Sequence, residues 1–569
     1  MTLLPPGMPT SLDYPPCSVG DILAGTARRH PDRVALRDGE EALTYAELHE
    51  QALRCAQGLR EWGIEPGDTV ALHQPNSLRW TLTYYAVLLA GAVVAPLSPV
   101  LPPAVLREQL DEAEAVAVIT HPAVAGVLAE ALSDSGRAAL RFVAEVPATH
   151  AAPAAAEAGS ANLPLAELLA AAAAPTDRVS PDAVAHLSFT GGTTGRSKAV
   201  SVRHRHVVAN ALQMGCWRAA ALPRLDEFGG LYTEQVPEAV GPSTLLIGES
   251  VLLAVAPMFH AMGLVTQSLC TLAAATVVVA GRFEPERYLA DVQRWKVTSL
   301  AGSPALFHAL LAAPGLQKAD LSSVRLVSSG AAPLDSATYA RLRELLPQAS
   351  IGEGYGLTEA TMGLTSHPPE QPVPAPLGSV GVPVFDTEIE IRDLVTRAAL
   401  ATGRVGEVWA RGPQIADGYH GHPELTAEQF ADGWLRTGDL GRLDAEGWLY
   451  LVGRVKDMLI HNGYNVYPGP LEDLLHQHPA VAVAAVIGVP DSKAGENPVA
   501  HVVLRGGFEP SAELRSELMA HVAAQVTPYQ RIRAVHFHEA LPLSAAGKIL
   551  KTELRRMCEA QRSDRTSEE

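Results

Sequence analysis

The stretch 187-LSFTGGTTGRSKAV-200 holds three glycines, three threonines and a lysine directly after an apolar run. Glycine lets backbone N–H groups approach an anion, threonine hydroxyls add donors, and lysine supplies a compact positive charge. Phosphate binding is the chemistry such a loop suits. Neither common nucleotide fingerprint fits, however. A Walker A loop needs lysine directly after its last glycine, whereas Arg196 and Ser197 separate Gly195 from Lys198, and the dinucleotide pattern G-x-G-x-x-G fails at Gly191-Gly192. Metal chemistry finds less support. Cys17, Cys55, Cys216, Cys270 and Cys558 are scattered singly, with no C-x-x-C pair. The clusters 203-RHRH-206 and 476-HQH-478 lack a third ligand at metal spacing and read as helix-surface charge.

Positioning such a loop requires a frame, and the apolar runs supply one. RVALRDG, TVALHQP, AVVAPLSP, AVAVIT, AHLSFT, VLLAVAP, TVVVAG and VRLVSSG read as strands, several apolar on both faces. Separated by helical stretches such as TYAELHEQALRCAQGLREWG, they predict mostly parallel sheets flanked by helices. Residues 145–178, rich in alanine and proline, read as a surface excursion, and residues 219–250 as an inserted loop on the surface or over a pocket. After GRVKDM the pattern becomes a small α+β unit: a helix around 470–477, strands AVAVAAVIGV and PVAHVVLR, a helix near 511–525 and a strand RIRAVHFHE. The fold expected is α/β, with a large N-terminal domain over 1–454 and a small mobile α+β domain over 455–569.

A formal net charge of −18 argues against a nucleic-acid groove and for a soluble, cytoplasmic protein whose anion binding relies on local positive charge. The N-terminus MTLLPPGMPTSLDYPP lacks a basic region followed by a continuous apolar stretch, so it does not read as a signal peptide. Val251 to Gly281 carries no charged side chain, yet Pro257, His260, Gly263 and Gln267 break it into strand, turn, helix and strand, against a membrane span.

Downstream of the opening loop lie 330-GAAPL-334, 353-EGYGLTE-359, 434-WLRTGDL-440, 453-GRVKDM-458 with 463-GYNVYP-468, and Gly547-Lys548 within LPLSAAGKILKTEL. In this order they resemble the core motifs of the adenylate-forming superfamily of acyl-CoA synthetases, peptide-synthetase adenylation domains and luciferases, over nearly the whole chain. EGYGLTE and GYNVYP are most similar to those of fatty- and aryl-acid CoA ligases. The resemblance implies activation of an acid by ATP to an adenylate with release of pyrophosphate, then transfer to a thiol, usually that of coenzyme A. Carboxylate attack on the α-phosphate joins two anions, so such a site must neutralise charge and align reactants.

Carried over residue by residue, the resemblance implies that Thr190, Gly191, Gly192, Thr193, Thr194, Gly195 and Lys198 surround the β/γ-phosphates. Gly330, Ala331, Ala332 and Pro333, with Glu353, Gly354, Tyr355, Gly356 and Thr358, belong to the ATP site, where Tyr355 and bare backbone form the adenine slot. Glu359 is the implied Mg²⁺ ligand, Asp439 the acceptor for the ribose hydroxyls, and Arg454 a support of the same ribose. Lys548 acts at the α-phosphate during adenylation. His260, Gly302, Ser303, Gly330, Gly354 and Gly363 are the implied acid pocket, Lys456 the hinge and Gly463 the wall of the pantetheine tunnel.

The chain departs from the resembling pattern at Ser197, where proline is commoner, at Ala199, where glycine is, and in the 219–250 insertion, which bears on the acid pocket or its entrance. Alternative acceptors are a carrier-protein thiol or an amine, and an inorganic acid such as nitrite is an alternative substrate; a catalytically silent nucleotide-binding module is the reading from another class. Monomer and homodimer both remain open.

Overall fold

A computed structural model describes residues 7–133, 140–147, 162–174, 178–190, 197–281, 283–330, 332, 334–370, 375–491, 493–543 and 549–567. The apolar runs become the centres of two large sheets. In the first, the strand order is Val382–Pro383, Thr365–Ser366, Ser350–Tyr355, Leu326–Ser329, Ser299–Gly302, Val251–Ala254, Thr276–Val279, Val34–Asp38 and Glu41–Thr44. In the second it is Gly418–Tyr419, Ala199–Arg203, Val184–Phe189, Val93–Leu97, Thr69–His73, Ala115–Thr120, Phe142–Glu145 and Asn162–Pro164. Central pairings are parallel and antiparallel partners lie toward the edges. Strands Thr69–His73, Val93–Leu97 and Thr276–Val279 are buried at every position, as helices on both faces require. The helix Tyr45–Glu61 starts where a capping box of Thr44 and Glu47 satisfies its first N–H groups.

A third sheet is antiparallel throughout: Glu388–Arg392, Gly406–Arg411, Trp434–Leu443 and Phe430–Ala431 in order, with Leu449–Arg454 also paired to Trp434–Leu443. Its neighbouring strands run in opposite directions, so this sheet adds an antiparallel layer to the parallel frame. Beyond it, Tyr464–Val466, Leu459–His461, Gly495–Leu504 and Val481–Asp491 form the C-terminal sheet, with Ala534–His538 parallel to Gly495–Leu504. Helices Pro468–His476 and Ala512–Ala523 pack on it around Leu459, Leu471, Val486, Leu518 and Val535, a core separate from those of the larger sheets.

The uncharged stretch 251–281 folds as the strand Val251–Ala254, the helix Ala261–Leu272 and the strand Thr276–Val279. Among the described residues no helix is long and apolar enough to cross a membrane. The 219–250 insertion contains a hairpin, Ala221–Leu225 with Leu231–Gln235, docked on the helix Val19–Arg29, where Arg28 pairs with Asp226 at 2.7 Å. Thr233 Oγ1 donates to the Leu272 carbonyl at 2.7 Å. That contact lies at the far end of the helix His260 begins, about 18 Å away at 1.5 Å per residue. The hairpin is thus fastened to the end of that helix opposite His260.

The histidine clusters are not surface charge. His204 is fully buried and its Nδ1 accepts from Val19 N at 3.1 Å, while His206 is buried and accepts from Arg203 N at 3.2 Å. Burial lowers each pKa to about 4, so both rings are neutral acceptors. They cap helix N-termini whose first N–H groups have no partner within the helix. In the second cluster His478 is buried and His476 Nε2 accepts from Ala484 N at 3.1 Å.

Candidate active site

The opening loop joins the antiparallel strands Val184–Phe189 and Ala199–Arg203, with Phe189 opposite Ala199. Thr190 N donates to the Lys198 carbonyl at 3.0 Å, so both ends of the loop are fastened together. Ser197 Oγ donates to the Thr190 carbonyl at 2.9 Å and accepts from Gln109 Nε2 at 3.1 Å, which closes the neck of the loop. A hairpin loop feeds no helix, and that is why strand-to-helix nucleotide fingerprints do not describe it. Gly191, Gly192, Thr193, Thr194 and Gly195 lie outside the described residues, as do Ala331, Pro333 and Lys548.

Lys198 and Glu359 meet across one aromatic ring. The strand Ala199–Arg203 pairs with Gly418–Tyr419, Val200 opposite Tyr419. The Lys198 ammonium lies 5.3 Å from the Tyr419 ring centroid, and the Tyr419 hydroxyl donates to Glu359 Oε1 at 2.8 Å. Glu359 sits in the short 3₁₀ turn Thr358–Ala360 that follows the strand Ser350–Tyr355. Its own carbonyl accepts from Ala416 N at 3.0 Å.

A second pair of contacts joins the implied adenine and ribose residues. Tyr355 is buried, and its hydroxyl donates to Asp439 Oδ2 at 2.7 Å. Asp439, only 6% exposed, faces Arg454 across the antiparallel ladder, with Arg454 Nε 3.1 Å from Asp439 Oδ1. Burial, then the Asp439 charge, raises the Tyr355 pKa and keeps its proton on the phenol. Lys456 follows in the 3₁₀ turn Val455–Asp457; its pKa is lowered by burial and by Arg454, against the pull of Asp457, Asp439 and Glu359. Glu353 Oε2 accepts from Leu334 N at 2.9 Å, fastening the segment that contains the exposed Ala332. Burial first, then the nearby Asp473 and Asp335 charges, pushes the Glu353 pKa up to about 7 against that hydrogen bond.

The implied acid-pocket residues gather at the carboxyl ends of adjacent parallel strands. Gly302 ends Ser299–Gly302 and receives a hydrogen bond from Gly330 N at 3.1 Å; Gly330 follows Leu326–Ser329, whose Ser329 lies opposite Glu353, next to Gly354. Ser303 precedes the helix Pro304–Leu311, and His260 caps Ala261–Leu272 just beyond Val251–Ala254, its Nδ1 3.5 Å from Met262 N. Open α/β sheets bind ligands at this edge. Met262 Sδ would lie 3.5 Å from a Cβ built on Gly330, and Met214 Sδ 2.9 Å from one on Gly363, so thioethers wall the space. A Cβ on Gly356 would collide with the Met362 carbonyl oxygen, so only glycine permits the close approach.

Between Glu359 and Gly363 the chain makes a γ-turn of the rarer, positive-φ kind. Thr361 adopts φ 65 and ψ −51, and Met362 N donates to the Ala360 carbonyl at 2.6 Å. Asn210 clamps the turn's far end: its Nδ2 donates to the Gly363 carbonyl and its Oδ1 accepts from Gly363 N, both at 2.9 Å. Thr361 Oγ1 donates to the Gln414 carbonyl at 2.6 Å. Gly463, in contrast, stands at the exposed tip of the hairpin Leu459–His461/Tyr464–Val466, at φ 79 beside Asn462 at φ 52, with open space where a Cβ would lie. This is the backbone of a two-residue type I′ turn.

The model of AMP-binding enzymes matches residues 23–420, and that of the AMP-binding enzyme C-terminal domain matches 470–548. The chain belongs to the AMP-binding enzymes. Among its relatives is 4-coumarate–CoA ligase 2 of Oryza sativa subsp. japonica, 34% identical over 529 residues, covering 90% of this chain and 87% of the relative. Feruloyl-CoA synthase of an Amycolatopsis species is 34% identical over 536 residues, covering 93% and 97%. Among solved structures, ATP-bound MatB from Rhodopseudomonas palustris has a TM-score of 0.80 at 28% identity, over 95% of this chain and 98% of that one.

Sequence reasoning missed three residues that organise the site of this AMP-binding enzyme. Tyr419 gave only the dipeptide Gly-Tyr. Met262 and Asn210 sit in apolar helical runs with no mark of what they face.

Proposed function

We infer that the protein is an AMP-forming acid–thiol ligase that activates an aryl acid with ATP, releases pyrophosphate and passes the acyl group to coenzyme A. One observation carries the reading: Lys198 and Glu359, joined through Tyr419, and the Asp439–Arg454 pair accompany a pocket edge of glycine and methionine, Gly302, Gly330, Gly354, Gly363 and Met262, with His260 beside it. Charge handling on one side and apolar walls on the other suit a nucleotide and an apolar acid. Relatives that are named for 4-coumarate and for feruloyl-CoA support an aryl side chain.

Asp439 accepts from the ribose hydroxyls, oriented by Tyr355 and Arg454, while the Tyr355 face and the bare backbone of Gly354 receive the adenine. Lys198 and the loop 190–198 neutralise the departing pyrophosphate. Glu359 is a lone half-buried carboxylate, and a single carboxylate completed by phosphate oxygens and water fits Mg²⁺. Held by Glu359, such an ion would supply positive charge against the phosphates. Lys548 steadies the charge at the α-phosphate as the acyl–phosphate bond forms, and His260 flanks the acid. The chain divides at 454/455; Lys456 is the hinge on which the C-terminal domain brings first Lys548 and then the Gly463 hairpin to the site. The enzyme works in the cytoplasm.

The test is a panel of aliphatic, aromatic and inorganic acids assayed for pyrophosphate release with and without coenzyme A. Hydroxycinnamic acids should release pyrophosphate, and AMP release should accelerate with coenzyme A. Pyrophosphate release that does not depend on acid would sink the reading, and thiol-independent AMP release would move the acceptor to an amine.

A further inference from the structure

We propose that Tyr419 is a positioning residue, which orients the Glu359 carboxylate toward its cation and ties it to the pyrophosphate-side Lys198. The inference rests on the reading of Glu359 as metal ligand. Tyr419 touches both groups, by a 2.8 Å hydrogen bond to Glu359 Oε1 and by the ring under the Lys198 ammonium. An ionised carboxylate only accepts, so a donor fixed on Oε1 sets which way the carboxylate turns. The donor is itself fixed. Tyr419 N donates to Thr426 Oγ1 at 2.9 Å, Phe430 packs edge-on at 5.9 Å, and the strand pairing sets Tyr419 opposite Val200, two residues from Lys198. Ala416 N holds the Glu359 carbonyl from the same segment. Segment 416–419 thus grips Glu359 by main chain and side chain, and a displacement on the phosphate loop is passed to the cation ligand.

Packing alone would also place a tyrosine here, and the test separates the two roles. Tyr419→Phe keeps the ring beneath Lys198 and removes only the hydroxyl. The half-saturating Mg²⁺ concentration for pyrophosphate release should rise about tenfold, the scale of one hydrogen bond to a charged group, with the acid KM and the thermal midpoint unchanged. Calorimetric titration of the full chain with MgATP should weaken by a similar factor. In a Glu359→Gln background the same change should add nothing to either readout. Unaltered Mg²⁺ dependence and MgATP binding in Tyr419→Phe, or equal losses in both backgrounds, would overturn the proposal while leaving the metal reading intact. If Glu359→Gln itself leaves Mg²⁺ dependence unchanged, the metal reading falls and the positioning role with it.

Discussion

Asp439, the proposed ribose acceptor, shows how a single carboxylate is held in place. Water reaches little of it, Tyr355 donates to one oxygen and Arg454 faces the other. Arg454 is the weaker support, because 41% of its side chain is exposed and water screens it, whereas the Tyr355 bond is buried. Tyr355→Phe should therefore raise the ATP KM severalfold and cost about 1–2 kcal/mol of stability, a typical loss for a hydrogen bond to a charged group. Steady-state kinetics with ATP varied, and chemical denaturation of the same variant, check both. An unchanged ATP KM would mean that Tyr355 serves the fold alone.

At the scale of elements, the strained turn between Glu359 and Gly363 is held from outside. A positive φ on a threonine costs about 1–3 kcal/mol and persists only where its surroundings insist on it. Here Asn210, from the helix His204–Ala219, satisfies both backbone groups of Gly363, and Gln414 takes the Thr361 hydroxyl. Asn210→Ala should strand the buried Gly363 N–H, at about 2–3 kcal/mol of unfolding free energy. On the proposed reading Met362 and Gly363 border the acid while Tyr419 still holds Glu359, so the acid KM should rise before the ATP KM. Equal rises in the two would count against this division. The parallel strands were legible in the sequence because burial on both faces leaves apolar runs, as in TVALH and TVVV. The antiparallel sheet of 388–454 was not, because strands such as EIEIR alternate charge with aliphatics on a half-exposed face. Asn210 was illegible for a different reason: its partner lies 153 residues away, and no local pattern records which chain segment a helix will meet. His204 was misread because a ring beside two arginines looks solvated, while the fold needed a neutral acceptor for Val19 N.

The whole molecule carries a proton-sensitive contact between its two parts. The helix Pro468–His476 of the C-terminal part brings Asp473 and His476 within electrostatic reach of Glu353, Asp335 and His308 in the larger part, and Glu472 on the same helix is paired with Lys551 at 2.7 Å. Asp335 is paired with His308 at 2.7 Å. Glu353, raised to about 7 by burial first, is the group that titrates in the working range. Asp473, raised to about 6, is open to water and contributes mainly the charge that faces it. The Asp473 charge is the part of that rise supplied by the C-terminal helix, so the packing is unopposed below the ordinary carboxyl value of 4.5 and weakens as pH rises from there through 7. Small-angle scattering should show the C-terminal part drawn in at pH 6 and released at pH 8.5. Asp473→Asn should flatten the difference by removing the repulsion, and Glu353→Gln should abolish it by removing the proton. Scattering profiles that are identical at the two pH values would show that Glu353 titrates without moving the helix.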